Sequence, residues 1–244
     1  MVARNFRLAE AELRSARAEL AALQGRELGR IGIGAMPLSR ARLLPNAVAA
    51  FHRAHPEVEI SITEGSHVDL IGPLRDGDLD LMVGALRDRS PGEDLVQHPL
   101  FVDRPVILAR FGHPLATAKS RAGAADLEAY GWVVAGEETP LRAQWRQMFG
   151  AIGRPPPHVA IECGSVMMVR QLLVQSDYLT LLSPDQVAVE LEAEWLVKIA
   201  DAPGDISRNI GFTVRSDWRP TALQEAFLAA LRNEAEIIHE DMNS

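Results

Sequence analysis

Four turns in the sequence place small, hydroxyl or proline residues directly before a predicted helix. They are Met36-Pro37-Leu38-Ser39, Glu137-Glu138-Thr139-Pro140-Leu141-Arg142, Cys163-Gly164-Ser165 and Ser183-Pro184. Each follows a predicted strand, so the free backbone N–H groups of the helix starts could bind a carboxylate or a phosphate. Arg142 is the one cation that we place among these turns, and a guanidinium can bind a carboxylate through two hydrogen bonds. Helix capping by Ser and Thr, without any ligand, is the alternative interpretation.

The residue combinations of common enzymes are missing from the sequence. Gly32-Ile33-Gly34 follows a predicted strand, but Pro37 stands where a dinucleotide site has its third glycine. The phosphate-loop motif GK[ST] does not occur, Gly164-Ser165 lacks the flanking glycines of a nucleophile elbow, and the seven histidines are scattered singly. The single cysteine, Cys163, excludes a disulfide framework. We therefore expect a ligand-binding protein with no metal or cofactor, and not an enzyme.

Composition narrows the class of protein further. The 244 residues are 47% apolar and 24% charged, which is typical of a globular protein with a sizeable core. Acidic residues outnumber basic ones by 33 to 25, so this chain by itself is a poor candidate for gripping a phosphate backbone. Neither a signal-peptide core nor an apolar stretch long enough to cross a bilayer is evident. We expect a cytoplasmic protein.

The elements that must position these turns begin with a separate helical segment, residues 1–28. Phe6, Leu13 and Leu20 recur every seven residues, and Ala9, Ala16 and Leu23 form a second seam, which is the pattern of a helix that pairs with another. A short isolated helix is marginally stable alone, which favours pairing with a second chain. An amphipathic helix that lies on its own domain is the alternative.

After residue 28 the pattern alternates between strands and helices. Strands at 31–35, 58–63 and 79–86 enclose helices after Pro37 and at 68–75, which predicts a parallel sheet covered by helices. A second α/β half follows, and a final strand at 210–214 and helix at 221–238 return to the first. We therefore predict subdomain I at 29–103 plus 209–244 and subdomain II at 104–208. Clefts between such halves hold small ligands.

Several segments together resemble the effector-binding domain of LysR-type transcription regulators. They are GRIGIGA at 29–35, LLP at 43–45, FHRAHPEV at 51–58, DLDLMVG at 78–84 and HPLA at 113–116. The resemblance covers residues 29 to 238, and the heptad segment before it matches the family's dimerising linker helix. It departs from the family because the winged helix-turn-helix that should precede this helix is missing, and a deliberately truncated chain is the simplest explanation.

The resemblance implies a type-2 periplasmic-binding-protein-like fold, a small effector between the subdomains, and a dimer or tetramer that repositions DNA-binding domains on a promoter. Some turns are similar to regulators of sugar or aromatic-acid catabolism, which suggests an anionic or sugar-like effector. A transport binding protein and an enzyme on the same fold are the competing functions. The former would need an export signal and no pairing helix.

Geometry and family position together give a set of candidate residues. For the effector site they are Met36, Pro37, Leu38, Ser39, Gly84, Ala85, Thr139, Leu141, Arg142, Ser165, Ser183 and Pro184. For the hinge between the halves they are Asp103, Arg104, Ser207 and Asn209, and for pairing they are Phe6, Leu13, Leu20 and Leu23. Ser39 is expected to supply the hydroxyl that many family members use. Arg142→Ala is expected to weaken binding of an anionic effector with little effect on the melting temperature.

Overall fold

The computed structural model describes residues 2–24, 27–88, 92–117 and 123–243, so positions 1, 25 and 26 of the predicted linker segment lie outside it. The chain divides into two compact units. Unit 1 comprises Met1–Val102 and Asn209–Ser244, and unit 2 comprises Asp103–Arg208. The elements in chain order are α1 (Val2–Leu23), β1 (Gly29–Ala35), a 3-10 turn (Pro37–Arg40), α2 (Leu43–Ala54), β2 (Val58–Glu64), α3 (His67–Asp76), β3 (Leu81–Ala85), β4 (Leu95–Asp103), β5 (Val106–Arg110), α4 (Pro114–Thr117), α5 (Ala124–Glu128), β6 (Trp132–Val134), α6 (Pro140–Ala151), β7 (Val159–Glu162), α7 (Val166–Val174), β8 (Thr180–Leu182), a second 3-10 turn (Pro184–Val187), α8 (Ala188–Glu192), β9 (Leu196–Asp201), β10 (Arg208–Arg215) and α9 (Ala222–Asn243).

Unit 1 is built on a five-stranded sheet in the order β2-β1-β3-β10-β4. Strand β1 pairs in parallel with β2 and β3, as the alternating pattern predicts, and β10 returns antiparallel to β3. Helices α2 and α9 pack together over a shared core, where the rings of Phe51 and Phe227 meet edge to face at 5.5 Å. The apolar residues of α2 keep helical spacing, so Leu44, Ala47 and Phe51 all point into this core.

Helix α1 lies on unit 1 along one of its sides. Ala11 and Ala21 are buried, Arg14 Nη2 donates to the carbonyl oxygen of Gly77 at 3.2 Å, and Arg7 forms an ion pair with Asp76. Gly77 ends α3 in a left-handed conformation with φ +82°, and a Cβ there would come within 3.1 Å of the Ala11 side chain. One side of α1 therefore packs against its own domain, as the alternative interpretation of this helix expected.

Unit 2 contains a three-stranded sheet in the order β8-β5-β9 and a two-stranded parallel pair, β6-β7. Strand β5 runs antiparallel to both neighbours, whereas β6 forms a parallel bridge to the start of β8 through Trp132 and Leu179. The core of this unit is aromatic. The rings of Trp132, Trp145 and Phe149 pack edge to face, with centroids 5.3 to 5.9 Å apart. This packing fixes α6 against the strands that precede it.

The α/β fold class is confirmed. The structure differs from the sequence prediction in several elements, among them the short helices α4 and α5, which were not predicted. The helix expected directly after Pro37 is a 3-10 turn followed by α2 from Leu43. Strand β4 was not predicted at all. It contains Pro99, which cannot donate a ladder hydrogen bond, and it lies at the edge of the five-stranded sheet, where a proline is tolerated.

Candidate functional site

Three strands of unit 2 end at the same edge. Strands β6 and β7 are parallel neighbours, and β8 begins with a parallel bridge to β6, so the turns that follow these strands lie side by side. These turns hold the predicted candidates Thr139, Ser165 and Ser183. The edge therefore gathers three of the four turns that the sequence singled out.

Arg142 is buried at this edge, with only 6% of its surface exposed. Thr139 caps α6 by accepting a hydrogen bond from the backbone N–H of Arg142 at 3.2 Å, which places the arginine in the first turn of the helix. Arg142 Nη1 donates to the carbonyl oxygen of Ala135 at 3.2 Å, and its guanidinium lies 5.2 Å from the ring centre of Trp145. Arg142→Ala is thus expected to lower the melting temperature, contrary to the expectation from sequence.

Two carboxylates and a second arginine complete this cluster. Glu137 belongs to the turn that the sequence singled out, but Glu137, Glu162 and Arg146 were not among the candidate site residues. Arg142 Nη2 donates to Glu137 Oε1 at 2.8 Å, and Nη1 lies 3.7 Å from Glu162 Oε2. The other oxygen of Glu137 forms an ion pair with Arg146. A usable signal was present, because Arg142 and Arg146 are four residues apart and share one face of a helix.

The remaining candidates of unit 2 differ in exposure. Ser183 is fully buried, and its Oγ has no hydrogen-bond partner among the described residues. Ser165 is exposed and caps α7 by accepting from Met168 N at 3.4 Å. Leu141 and Pro184 are half-buried. Ser183 is therefore a hydroxyl with unused bonding capacity, and Ser165 has the capping role of the alternative interpretation.

In unit 1 the predicted turn after β1 is held rigidly. Ser39 is fully buried, and its Oγ lies 2.9 Å from the carbonyl oxygen of Met36 and 3.0 Å from that of Val83. The hydroxyl that was expected to meet the effector is thus bonded to the backbone of its own turn. A Cβ at Gly84 would come within 2.6 Å of the Met36 side chain, so only glycine fits beneath this turn.

Exposure separates the remaining candidates of this turn. Leu38 and Met36 are buried, Ala85 is half-buried and Pro37 is exposed. The expectation that Arg142 is the one cation among these turns is wrong, because Arg40 lies in the turn after β1. Arg40 donates to the carbonyl oxygens of Ala35 and Gly65 at 3.0 Å each, and it pairs with Glu64 at 3.1 Å.

The predicted hinge residues lie where β4 ends and β10 begins. Arg208 Nε donates to Asp103 Oδ2 at 2.7 Å, and the Asp103 carboxylate is fully buried. Gln144 Nε2 donates to the carbonyl oxygen of Ser207 at 3.1 Å. Arg104 and Asn209 are exposed. The ion pair between Asp103 and Arg208 fastens the two crossing segments to each other.

Within the described residues, no group of three or more His, Cys, Asp or Glu side chains has the geometry to hold a metal ion. None of the described helices is both long and apolar enough to cross a membrane.

Comparison with protein families identifies the fold. A family model described as the LysR substrate binding domain matches residues 24–236. The chain belongs to this family. The LysR domain is 35% identical over 223 residues to the HTH-type transcriptional regulator GalR of Pseudomonas putida, covering 91% of this chain and 55% of that protein. It is 33% identical over 200 residues to the SDS degradation transcriptional activation protein of a Pseudomonas species, covering 82% of this chain and 64% of that protein. The chain thus spans about half to two thirds of these relatives.

Solved structures agree with this assignment. The LysR family transcriptional regulator HinK of Pseudomonas aeruginosa is 26% identical, with a TM-score of 0.70 over 96% of this chain and 80% of that one. The effector binding domain of QuiR in complex with shikimate is 17% identical, with a TM-score of 0.70 over 86% of this chain and 98% of that one. The likeness to QuiR shows the fold alone. Together the comparisons confirm the type-2 periplasmic-binding-protein-like fold that the family resemblance implied.

Proposed function

We propose that this LysR domain is the sensing part of a transcription regulator and that it binds a small carboxylate ligand through Arg142. The observation that carries the proposal is a buried guanidinium at an edge where three strand-end turns meet. Arginine presents a planar set of donors that matches a carboxylate, and a helix N-terminus favours negative charge beside it. Ser183, buried and without a hydrogen-bond partner among the described residues, offers a hydroxyl for a polar group of the ligand.

The wider roles in this proposal come from the family. Within unit 1, the turn at Met36–Ser39 together with Gly84 and Ala85 is proposed to bind the effector, and the segments at 103–104 and 207–209 are proposed to be the hinge. The domain is proposed to act in the cytoplasm as a dimer or tetramer, and to control promoter binding through a DNA-binding domain of the longer protein. Sensing is favoured over catalysis because GalR and the SDS degradation protein are both named as transcription regulators.

A ligand screen with a matched variant pair tests the carboxylate. Carboxylic acids and their neutral amides are screened by thermal shift, since a ligand at 100 times its Kd stabilises a fold by about 2.7 kcal/mol. Calorimetry on the hits is then repeated with Arg142→Lys, which keeps the charge but loses the planar fork. We expect affinity for a carboxylate to fall by about tenfold, a loss of about 1.4 kcal/mol.

Arg154→Lys, an exposed arginine of unit 2 that lies outside these turns, is the control and should bind as the parent does. A hit that binds Arg142→Lys as tightly as the parent, or an amide that binds as tightly as its acid, would contradict the proposal. Such a result would favour a neutral hydroxylated ligand, for which the existing pair between Arg142 and Glu137 is the supporting observation.

A further inference from the structure

The cluster around Arg142 requires a negative charge even without a ligand. A cation in the first turn of a helix is disfavoured by the helix dipole, and a buried guanidinium without a counter-charge is costly. Arg142 meets both conditions, since it lies in the first turn of the 12-residue helix α6 and is 6% exposed. Its Nε also has no hydrogen-bond partner among the described residues.

Glu137 supplies that negative charge, and its exposed side chain is free to move away from Arg142. Its side chain is 48% exposed, and it lies on the turn between β6 and α6, where it contacts Arg142 with one oxygen and Arg146 with the other. Arg142 is held in place by the Ala135 carbonyl and by the ring of Trp145. The arginine is thus fixed, whereas its carboxylate partner is on the surface. Glu162, at 3.7 Å, is the more distant of its two carboxylates.

We propose that Glu137 is an internal stand-in for the ligand, a carboxylate that occupies Arg142 until the carboxylate of a ligand replaces it. This inference rests on the proposed function, because it assumes that Arg142 is the anion-binding group. Glu137 and the ligand carboxylate then compete for Arg142. In the free protein Glu137 neutralises Arg142, and the ligand must displace Glu137 to bind. Displacement releases the turn between β6 and α6 and leaves Glu137 to solvent or to Arg146.

Chemical rescue tests this stand-in role without knowledge of the ligand. Glu137→Gln removes the charge and keeps the size of the side chain, so the buried Arg142 should then recruit an anion from solution. We expect acetate to raise the melting temperature of Glu137→Gln by about 2 °C over chloride at the same ionic strength of about 0.15 M. The parent protein should show no such difference. Glu138→Gln, an exposed carboxylate of the same turn that is not among the partners of Arg142, is the matched control.

The second measurement uses benzoate as a defined carboxylate probe, with benzamide as its neutral counterpart. Removing one half-exposed ion pair should make benzoate bind Glu137→Gln about fivefold more tightly than it binds the parent. Benzamide should show no gain. Glu137→Ala provides a second variant for both measurements and should behave as Glu137→Gln does.

The outcomes separate this inference from the proposed function. If acetate and chloride stabilise Glu137→Gln equally, Glu137 is not a stand-in, whatever the ligand of Arg142 is. If Glu137→Gln binds benzoate more weakly than the parent, Glu137 contributes to the site and the inference is wrong, while the carboxylate proposal stands. If acetate rescues Glu137→Gln but also rescues the double variant Glu137→Gln/Arg142→Lys to the same extent, Arg142 is not the group that receives the anion, and both proposals are wrong.

Discussion

At the scale of single residues, two buried ionisable side chains have different partners: Arg142 contacts carboxylates, and His113 is hydrogen-bonded to the backbone. Arg142 is buried beside carboxylates and keeps a hydrogen-bonding role. His113 is fully buried, and burial disfavours its charged form although the nearby Asp177 carboxylate acts in the opposite direction. Its Nδ1 accepts from the backbone N–H of Leu115 at 3.1 Å, so its Nε2 carries the proton and faces the carbonyl oxygen of Asp177 at 3.2 Å. Burial, and to a smaller extent Arg110, holds the pKa of His113 below its usual value.

The lowered pKa of His113 predicts a loss of stability in acid. A folded-state pKa below the unfolded value of about 6.5 gives stability that is complete above that pH and is lost as the pH falls through the folded pKa. Asparagine can still accept from Leu115 N but does not titrate. We therefore expect His113→Asn to be less stable than the parent at pH 7.5, with a difference that shrinks below about pH 6. Urea titrations at several pH values measure this, and a difference that stays constant or widens in acid would contradict the assignment.

At the scale of elements, the two segments that connect the units depend on one buried ion pair. Asp103 ends β4, Arg208 begins β10, and the Asp103 carboxylate is fully buried. Removing one member of a buried pair leaves the other charge uncompensated and costs about 3 kcal/mol or more. We expect this cost for Asp103→Asn in denaturant unfolding of unit 2. The double variant Asp103→Leu/Arg208→Met should recover most of it, because it removes both charges.

The ion pair between Arg170 and Glu190 is the control for the pair between Asp103 and Arg208. It lies in the same unit, and the Glu190 side chain in α8 is also buried, at 4% exposure. Hydrogen exchange adds a local readout. In Asp103→Asn the amides next to Asp103 and Arg208 should exchange faster, whereas Glu190→Gln should leave them unchanged. Equal exchange in both variants, or an Asp103→Asn that is as stable as the parent, would show that this pair does not fasten the crossing segments.

The sequence predicted elements better than contacts. Strands with clear apolar runs, such as β1 and β10, were found because burial on both faces leaves a strong signal. Strand β4 was missed because Pro99 and the polar residues around it do not read as a strand, although an edge position tolerates them. The ion pair of Arg142 with Glu137 was not predicted, although both residues belong to one turn that the sequence singled out. Glu137 reaches Arg142 through the conformation of this turn, and turn conformation is set by packing that no local pattern records.

At the scale of the whole molecule, α1 presents two different surfaces. One side contacts unit 1 through Ala11 and Arg14. The heptad residues predicted for pairing, Phe6, Leu13, Leu20 and Leu23, are all exposed on unit 1. Exposed leucines at heptad spacing on a helix that is already docked favour an interface with a second chain, since contiguous apolar surface on a monomer promotes association. Pairing through this stripe remains a prediction.

Point substitutions test this pairing better than deletion of α1, because deletion would also expose the surface of unit 1 that α1 covers. Leu13→Ser/Leu20→Ser changes two side chains that are each 59% exposed. Apart from a small cost in helix propensity, the melting temperature of the domain should therefore fall by the share that assembly contributes. In sedimentation at micromolar concentration we expect the parent to be a dimer or larger and the double variant to be a monomer. Met167→Ser, which removes an even more exposed apolar side chain from α7 of unit 2, should assemble as the parent does. A monomeric parent chain, or a double variant that assembles as the parent does, would show that the stripe on α1 is not the interface.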